Sequence, residues 1–512
     1  MFEVSFTDQF VLLADAMIQV FTLKSFLIML LSISLGILFG TLPGLTATMG
    51  VALLTGLTYG FNMFDALAVL IGVYIGAIYG GSRTAILISI PGTPASAATM
   101  MDAEPLVKQG KAAHILNVAT MASFIGTIFG VFLLFLISPL LMNLALKFGA
   151  HEFFVLTLFG ILICGSLTSQ DSAVKGWSMG CLGLLISTVG IDKIQAFPRF
   201  TYGSIQLSGG IELIPVMIGL FGIPQIILAL QSKANEQIMK NVKSSIRQMW
   251  HDSIYVLKHL RTCLRSGGIG SLIGALPGVG GDIACWVAYD AEKRVNKDPN
   301  SFGKGNIKGV IAPEVSNNAV IGGAFIPMLS LAVPGDAVTA VILGALWLHG
   351  VRPGPLLMTE MPDVYYSVVA FSLLGAFIML IIGLSITAPL VKVLSVPKGQ
   401  LMPIVAVLTI IGAYAINMKI FDVQIMLIFG LIGYLMHLAS FPVAPLILGM
   451  ILGPMADENL RRALMLSDGS LLPFIQKPIS FTLLIIVVLL FAFEIYKYLK
   501  RKNQEIPRNS SV

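Results

Sequence analysis

Charged side chains are scarce in this sequence: 32 Lys+Arg and 26 Asp+Glu make up only 11% of 512 residues, against roughly a quarter in soluble domains. That excludes a water-facing globular surface for a chain of this length, and a mean hydropathy of +0.89 with 56% hydrophobic residues agrees. Cysteine is scarce too. Cys164, Cys181, Cys263 and Cys285 stand singly, mostly in apolar stretches, so neither a disulfide framework nor a metal site is implied. The six histidines show no metal spacing, and His151-Glu152 lacks the second histidine of a zinc-protease helix. Gly-x-x-x-x-Gly-Lys-Ser/Thr is missing, because Gly110-Lys111 runs on to Ala112 and Gly303-Lys304 to Gly305. The chain is therefore not expected to hydrolyse ATP itself. The first 24 residues lack a basic start and a small-residue cleavage site and carry Glu3, Asp8 and Asp15, so no cleaved signal is expected.

What the sequence has in quantity is long uncharged runs. Residues 25–64, 115–146, 315–335, 364–391 and 423–456 contain no Asp, Glu, Lys or Arg. A spanning helix needs about 20 apolar residues, so an all-α polytopic membrane protein with about 10 to 12 spans is expected. Positive charge is clustered. Lys233, Lys240, Lys243, Arg247, Lys258, Arg261 and Arg265 crowd a central connection, and Lys497, Lys500, Arg501, Lys502 and Arg508 crowd the tail. The positive-inside rule predicts that both are cytoplasmic. In the connection, the charges alternate with Ile246, Met249, Trp250, Ile254 and Leu257, the pattern of an interfacial amphipathic helix.

An internal repeat is the most informative pattern. Gly40-Thr41-Leu42-Pro43-Gly44-Leu45-Thr46 returns as Gly274-Ala275-Leu276-Pro277-Gly278-Val279-Gly280. Gly80-Gly81-Ser82, leading to Pro91-Gly92-Thr93, returns as Gly322-Gly323-Ala324, leading to Pro334-Gly335-Asp336. The order is kept and the spacing agrees to within one residue. This divides the chain into a first membrane repeat (1–230), a basic connection (231–266), a second repeat (267–475) and a final helix with tail (476–512). Pro removes a backbone donor and Gly accepts unusual dihedrals, so each Pro-Gly should unwind a helix. In hydrocarbon, the freed backbone groups are tolerated only around a protein-enclosed or watery site, and matched breaks in two halves point to a carrier's midplane site, with inverted repeats preferred.

The blocks LPGLTATMGVALL, YGGSRTAILISIPGTPASAATMMDAEPL, GALPGVGG and APEVSNNAVIGGAFIPMLSLAVPGDAVTAVILGAL resemble the TctA family, the large membrane subunit of tripartite tricarboxylate transporters, over most of the chain. The resemblance implies ion-gradient-driven symport of a carboxylate, such as citrate, across a bacterial inner membrane. It also implies a small membrane subunit (TctB-like), a periplasmic solute-binding protein (TctC-like), sodium or a proton as coupling ion, no other cofactor and no enzymatic activity; a homodimer is left open. The substrate-binding candidates are Pro43, Gly44, Leu45 and Thr46, with their twins Pro277, Gly278, Val279 and Gly280. To these are added Gly80, Gly81, Ser82, Arg83, Pro91, Gly92 and Thr93, then Asn317, Asn318, Pro334, Gly335 and Asp336. Asp282, Glu314 and Asp336 are ion-coupling candidates, because a carboxylate in apolar surroundings must be paired, protonated or bound to a cation. Arg83 departs from the family pattern: it either meets a substrate carboxylate or snorkels to a membrane surface. A channel, or a carrier of another organic anion, stands as the alternative. An aspartyl protease is disfavoured because Val279 occupies the first glycine of its Gly-x-Gly-Asp pattern.

Overall fold

The computed structural model describes residues 6–42, 45–88, 92–168, 173–192, 194–231, 245–385 and 398–505. Helices of more than ten residues are, in the first part of the chain, α1 (Phe6–Val20), α2 (Leu23–Thr41), α3 (Ala47–Leu57), α4 (Met63–Ile88) and α5 (Ala97–Lys108). α6 (Ala112–Ala145), α7 (Ala150–Thr168), α8 (Ala173–Ser187) and α9 (Leu213–Gln231) follow. Then come α10 (Ile246–Leu257), α11 (Leu260–Gly274), α12 (Gly280–Val295), α13 (Lys308–Leu331), α14 (Ala337–Leu348) and α15 (Pro362–Ser385). α16 (Lys398–Ala415), α17 (Ile420–Leu438), α18 (Val443–Leu466) and α19 (Pro478–Glu505) complete the chain. The described strands are β1 (Gly190–Ile191) and β2 (Pro198–Arg199), an antiparallel pair.

The protein is an all-α polytopic membrane protein. Among the described residues, eight helices are long and apolar enough to cross a bilayer: α2, α4, α6, α7, α9, α15, α17 and α19. Three further apolar helices are shorter, and one of them, α14, starts just after a Pro-Gly break. The gap between eight and the expected 10 to 12 spans falls at such segments, which a composition argument counts and a length criterion does not. Hydroxyl side chains inside the spans return their protons to the helix: Ser32 Oγ donates to Ile28 O at 2.7 Å and Thr120 Oγ1 to Leu116 O at 2.7 Å. This keeps polar groups satisfied where no water is at hand.

The chain forms two compact units, residues 1–145 with 214–434, and residues 146–213 with 435–512. This division by compactness differs from the sequence halves, because each half contributes to both units. Close packing on glycine sets the helix directions in the first unit. A side chain at Gly36 or Gly40 would run into the carbonyls of Val73 and Ala77, so α2 and α4 lie side by side and parallel. Gly270 and Gly274 meet Ser316 and Val320 in the same way, pairing α11 with α13. Gly126 meets Val315 and Gly130 meets Ala319, so α6 runs parallel to α13. Gly375 lies on Ile75 and Gly383 on Tyr79, so α15 runs parallel to α4. Tyr365 of α15 donates to Leu134 O of α6 at 3.1 Å, while Gly383 lies on Thr120, so α15 and α6 are antiparallel. It follows that α4 and α13, the helices bearing the matched Gly-Gly pairs, run in opposite directions.

In the second unit, Gly183 packs on the Leu446 carbonyl and Gly453 on Ser187, which makes α8 and α18 parallel. Trp177 of α8 stacks on Phe491 of α19, with ring centroids 4.9 Å apart. The β1–β2 hairpin is tied to α18 by four charges: Arg461 to Asp192 at 2.7 Å, Arg199 to Asp457 at 2.8 Å and Arg199 to Asp192 at 3.1 Å. Burial pushes the Asp192 carboxyl up, but bonds from Arg461 and the Ile194 amide, with Arg199 nearby, outweigh it and hold the group below its usual range. All four cysteines are free thiols.

Candidate functional site

The second half unwinds where Leu-Pro-Gly stands. In the second half, α11 ends at Gly274 and α12 starts at Gly280, with Gly278 at φ +73 and Gly280 at φ +66 between them. Those dihedrals suit glycine and strain other residues. In the first half, α2 stops at Thr41, and Thr46 heads α3, its hydroxyl accepting from the Met49 amide at 3.1 Å. Leu45 is buried beside it; Pro43, Gly44 and Pro91 lie outside the described residues.

The second pair of breaks repeats this order. Thr93 opens a one-turn helix, Pro94–Ser96, that leads into α5, and Asp336 is the N-cap of α14, after Ala332 has turned left-handed at φ 57. Gly92 packs on the Gly40 carbonyl and Gly335 on the Gly274 carbonyl, so in each half the second break rests on the end of the helix before the first. Gly80 packs on Ile37 O and Gly323 on Ser271 O, so structurally Gly80 matches Gly323 and Gly81 matches Ala324. This corrects the sequence pairing of Gly80 with Gly322 by one position, since glycine-rich stretches align equally well in adjacent registers. Gly72 and Gly76 lie on Ser32 and Ile33, the close helix packing their spacing suggests.

Around these breaks lies a set of buried polar side chains. Arg83 is 1% exposed on α4, far from any membrane surface role. The snorkelling alternative is thereby excluded. One of its terminal nitrogens donates to the Gly383 carbonyl and its guanidinium lies 5.0 Å from the Tyr79 ring, but Nε and Nη1 have no partner among the described residues. Glu314, fully buried on α13, accepts from Thr99 Oγ1 at 2.5 Å and Ser123 Oγ at 3.0 Å and lies within electrostatic reach of Arg83. Among the described residues, Thr93 Oγ1, packed against Gly81, is buried with only its capping box to Ser96, and both amide atoms of Asn317 and the Asn318 oxygen are buried without a partner. Gly281 touches both the Asn317 amide and Ala95. The Thr93–Ser96 turn of one half thus meets the start of α12 and the middle of α13 in the other.

The acidic candidates divide by environment. Both oxygens of Asp336 are engaged: Oδ1 accepts from the Thr339 amide and hydroxyl, each at 2.7 Å, and Oδ2 from the Tyr74 hydroxyl at 2.5 Å. Asp282 stands in the first turn of α12 with its side chain exposed, beside the Ala95 amide. The sequence reading did not single out Tyr74, Thr99 or Ser123. A hydroxyl on a buried helix face looks like ordinary core, and only the three-dimensional pairing with Asp336 and Glu314 sets these apart. Among the described residues, no group of three His, Cys, Asp or Glu is placed to hold a metal ion.

A match to the tripartite tricarboxylate transporter TctA family extends over residues 26–448. The chain belongs to the TctA family. TctA proteins are transporter subunits, so this is a multi-pass membrane component of a transport system with further subunits. The chain is 36% identical over 472 residues, 92% of its own length and 93% of the relative's, to an uncharacterized 52.8 kDa protein in the TAR-I ttuC' 3' region of Agrobacterium vitis. It is 39% identical over 215 residues, 42% of this chain and 89% of the relative, to an uncharacterized protein in the TAR-II ttuC' 3' region of the same organism. No solved structure matches this TctA chain.

Proposed function

We propose that the chain carries a carboxylate, a tricarboxylate such as citrate, inward across the bacterial inner membrane by ion-coupled alternating access. On this reading a TctC-like binding protein delivers the substrate at the outer face and a TctB-like subunit completes the membrane complex. The observation that carries the reading is the unmet hydrogen-bonding capacity at the breaks. Among the described residues, Arg83 Nε and Nη1 and the Asn317 amide are buried and unpartnered, and Thr93 Oγ1 has only its capping box with Ser96. A buried cation and amide with donors left over are costly, and a carboxylate offers the acceptors they lack, with Arg83 able to give it a charge-assisted contact. Helix starts at Thr93 and Gly280 add positive dipole ends.

The halves are read as inverted repeats. In support, the helix contacts recur at a displacement of 234 residues along the first helix of each pair and 243 along the second, while α4 and α13 run in opposite directions. Topology agrees from two directions. A cytoplasmic tail puts the start of α19 outside, and with it Lys477, which lies 3.2 Å from His151 at the start of α7. A cytoplasmic connection puts the end of α9 inside and the start of α6, bonded to Asp252 of α10, inside as well. Asp282, Glu314 and Asp336 are the groups through which sodium or a proton would couple.

Uptake of labelled mono-, di- and tricarboxylates tests this, in vesicles holding the chain with and without its two partner subunits, under imposed sodium or proton gradients. Saturable, partner-dependent accumulation driven by one gradient is expected. Conductance without saturation would replace the carrier by a channel, and no accumulation of any acid with all three subunits present would overturn the substrate class.

A further inference from the structure

α10 has two unlike faces. At 100° per residue, Ile246, Trp250, Ile254 and Leu257 fall within an arc of about 80°, and they are 85%, 71%, 41% and 49% exposed. The opposite face is pinned: Asp252 accepts from the Asn117 amide at 2.9 Å and bonds His114 Nδ1 at 2.7 Å, and Val256 is buried with Val118, Ala122, Cys263, Ile311 and Val315. α10 therefore cannot roll to hide its apolar stripe. Arg247, Lys258 and Arg261 stand exposed beside the stripe. On α11, Leu260, Leu264 and Leu272 are also 49%, 50% and 69% exposed.

We propose that α10 is an interfacial helix whose apolar stripe lies in the inner leaflet and whose basic flank binds anionic lipid headgroups. Charge complementarity selects this occupant. An apolar face alone would suit any hydrophobic partner, but the apolar stripe bordered by exposed cations is the composition that anionic leaflets hold, each basic residue near the surface contributing about fivefold in partition. The sidedness rests on the topology proposed above; the lipid contact itself does not depend on transport. Because α10 feeds straight into α11, whose end is the break at Gly274, the headgroups would fix the base of one arm of the site.

The test uses the full chain, substrate-free, in nanodiscs, with Trp177, Trp286 and Trp347 replaced by Phe so that Trp250 reports alone. At equal mole fraction, brominated phosphatidylglycerol should quench Trp250 several-fold more strongly than brominated phosphatidylcholine. Arg247→Gln, Lys258→Gln and Arg261→Gln together should remove that preference while leaving quenching by phosphatidylcholine in place. Equal quenching by both lipids in the parent protein would overturn the anionic headgroup contact. Absence of quenching by either lipid, or its loss when the partner membrane subunit is added, would assign the stripe to water or to a protein instead. Uptake does not enter the readout, so failure here and failure of the carrier reading are separate results.

Discussion

Thr93 and Asp336 hold the same place in the two arms: each opens a helix after a Pro-Gly break, and each is followed three residues on by a hydroxyl that bonds back to it. The Thr93 amide donates to Ser96 Oγ at 3.4 Å, and the Asp336 amide to Thr339 Oγ1 at 3.0 Å. Their side chains nevertheless differ in state. Both Asp336 oxygens are engaged, by Tyr74 and Thr339, whereas Thr93 Oγ1 has only its capping box with Ser96 and no other partner among the described residues. Arg83 sits only in the first arm; the position matched to it in the second is Ile326. The backbone packing is duplicated and the polar chemistry is not. This is what a carrier needs if two symmetric arms must move alike while one asymmetric anion is held between them.

The duplicated part can be broken first, and there the largest effect is expected. Gly40→Val and Gly274→Val each push a side chain into a neighbouring helix carbonyl. Both should abolish uptake and lower thermal stability by on the order of 3 kcal/mol. A full effect in one arm and none in the other would end the claim that the arms are mechanically equivalent. The asymmetric part comes next. Arg83→Ala should raise the half-saturation concentration by about tenfold to a hundredfold, matching a lost charge-assisted contact of about 1.5–3 kcal/mol. An unchanged half-saturation would reduce Arg83 to its tie to Gly383.

The cap positions sharpen the contrast further. Asp336→Asn keeps the cap but removes the acceptor that the Tyr74 hydroxyl uses and should cost about 1 kcal/mol of stability, read by thermal unfolding in detergent. Thr93→Val removes a hydroxyl that the protein uses only in its capping box with Ser96, so substrate binding should weaken by about 1 kcal/mol with at most a similar loss of stability. The reverse pattern would exchange the roles of the two arms. The smallest effect is expected in the other unit, where Arg461→Gln loosens the part-exposed hairpin network. Stability should fall by about 1 kcal/mol or less, with the half-saturation concentration unchanged.

Much of the architecture was legible because its signals are local. Long uncharged runs announce spans, and Pro-Gly pairs announce breaks whatever surrounds them. The amphipathic pattern of α10 was equally readable, since Ile246, Trp250, Ile254 and Leu257 recur at helical spacing. What stayed hidden depends on which helices meet. Arg83 had two opposite readings until α15 was found against α4, enclosing the guanidinium under Gly383. Tyr74 lies 262 residues from Asp336 and Thr99 lies 215 residues from Glu314, separations over which sequence pattern carries no pairing information. The one-residue shift from Gly322 to Gly323 has the same cause: the carbonyl that a glycine faces, not the glycine itself, fixes the register.

The central claim is that Thr93, Arg83 and Asn317 surround the place of the substrate carboxylate, and substrate protection tests it most directly. In a chain with Cys164, Cys181, Cys263 and Cys285 replaced by Ala, Thr93→Cys is labelled with a small maleimide in the presence and absence of the transported acid. Labelling should slow about tenfold or more at saturating substrate, as expected for a site filled well above its dissociation constant. A labelling rate that the acid leaves unchanged would contradict the account, because the hydroxyl between the two arms would then have no part in holding the anion.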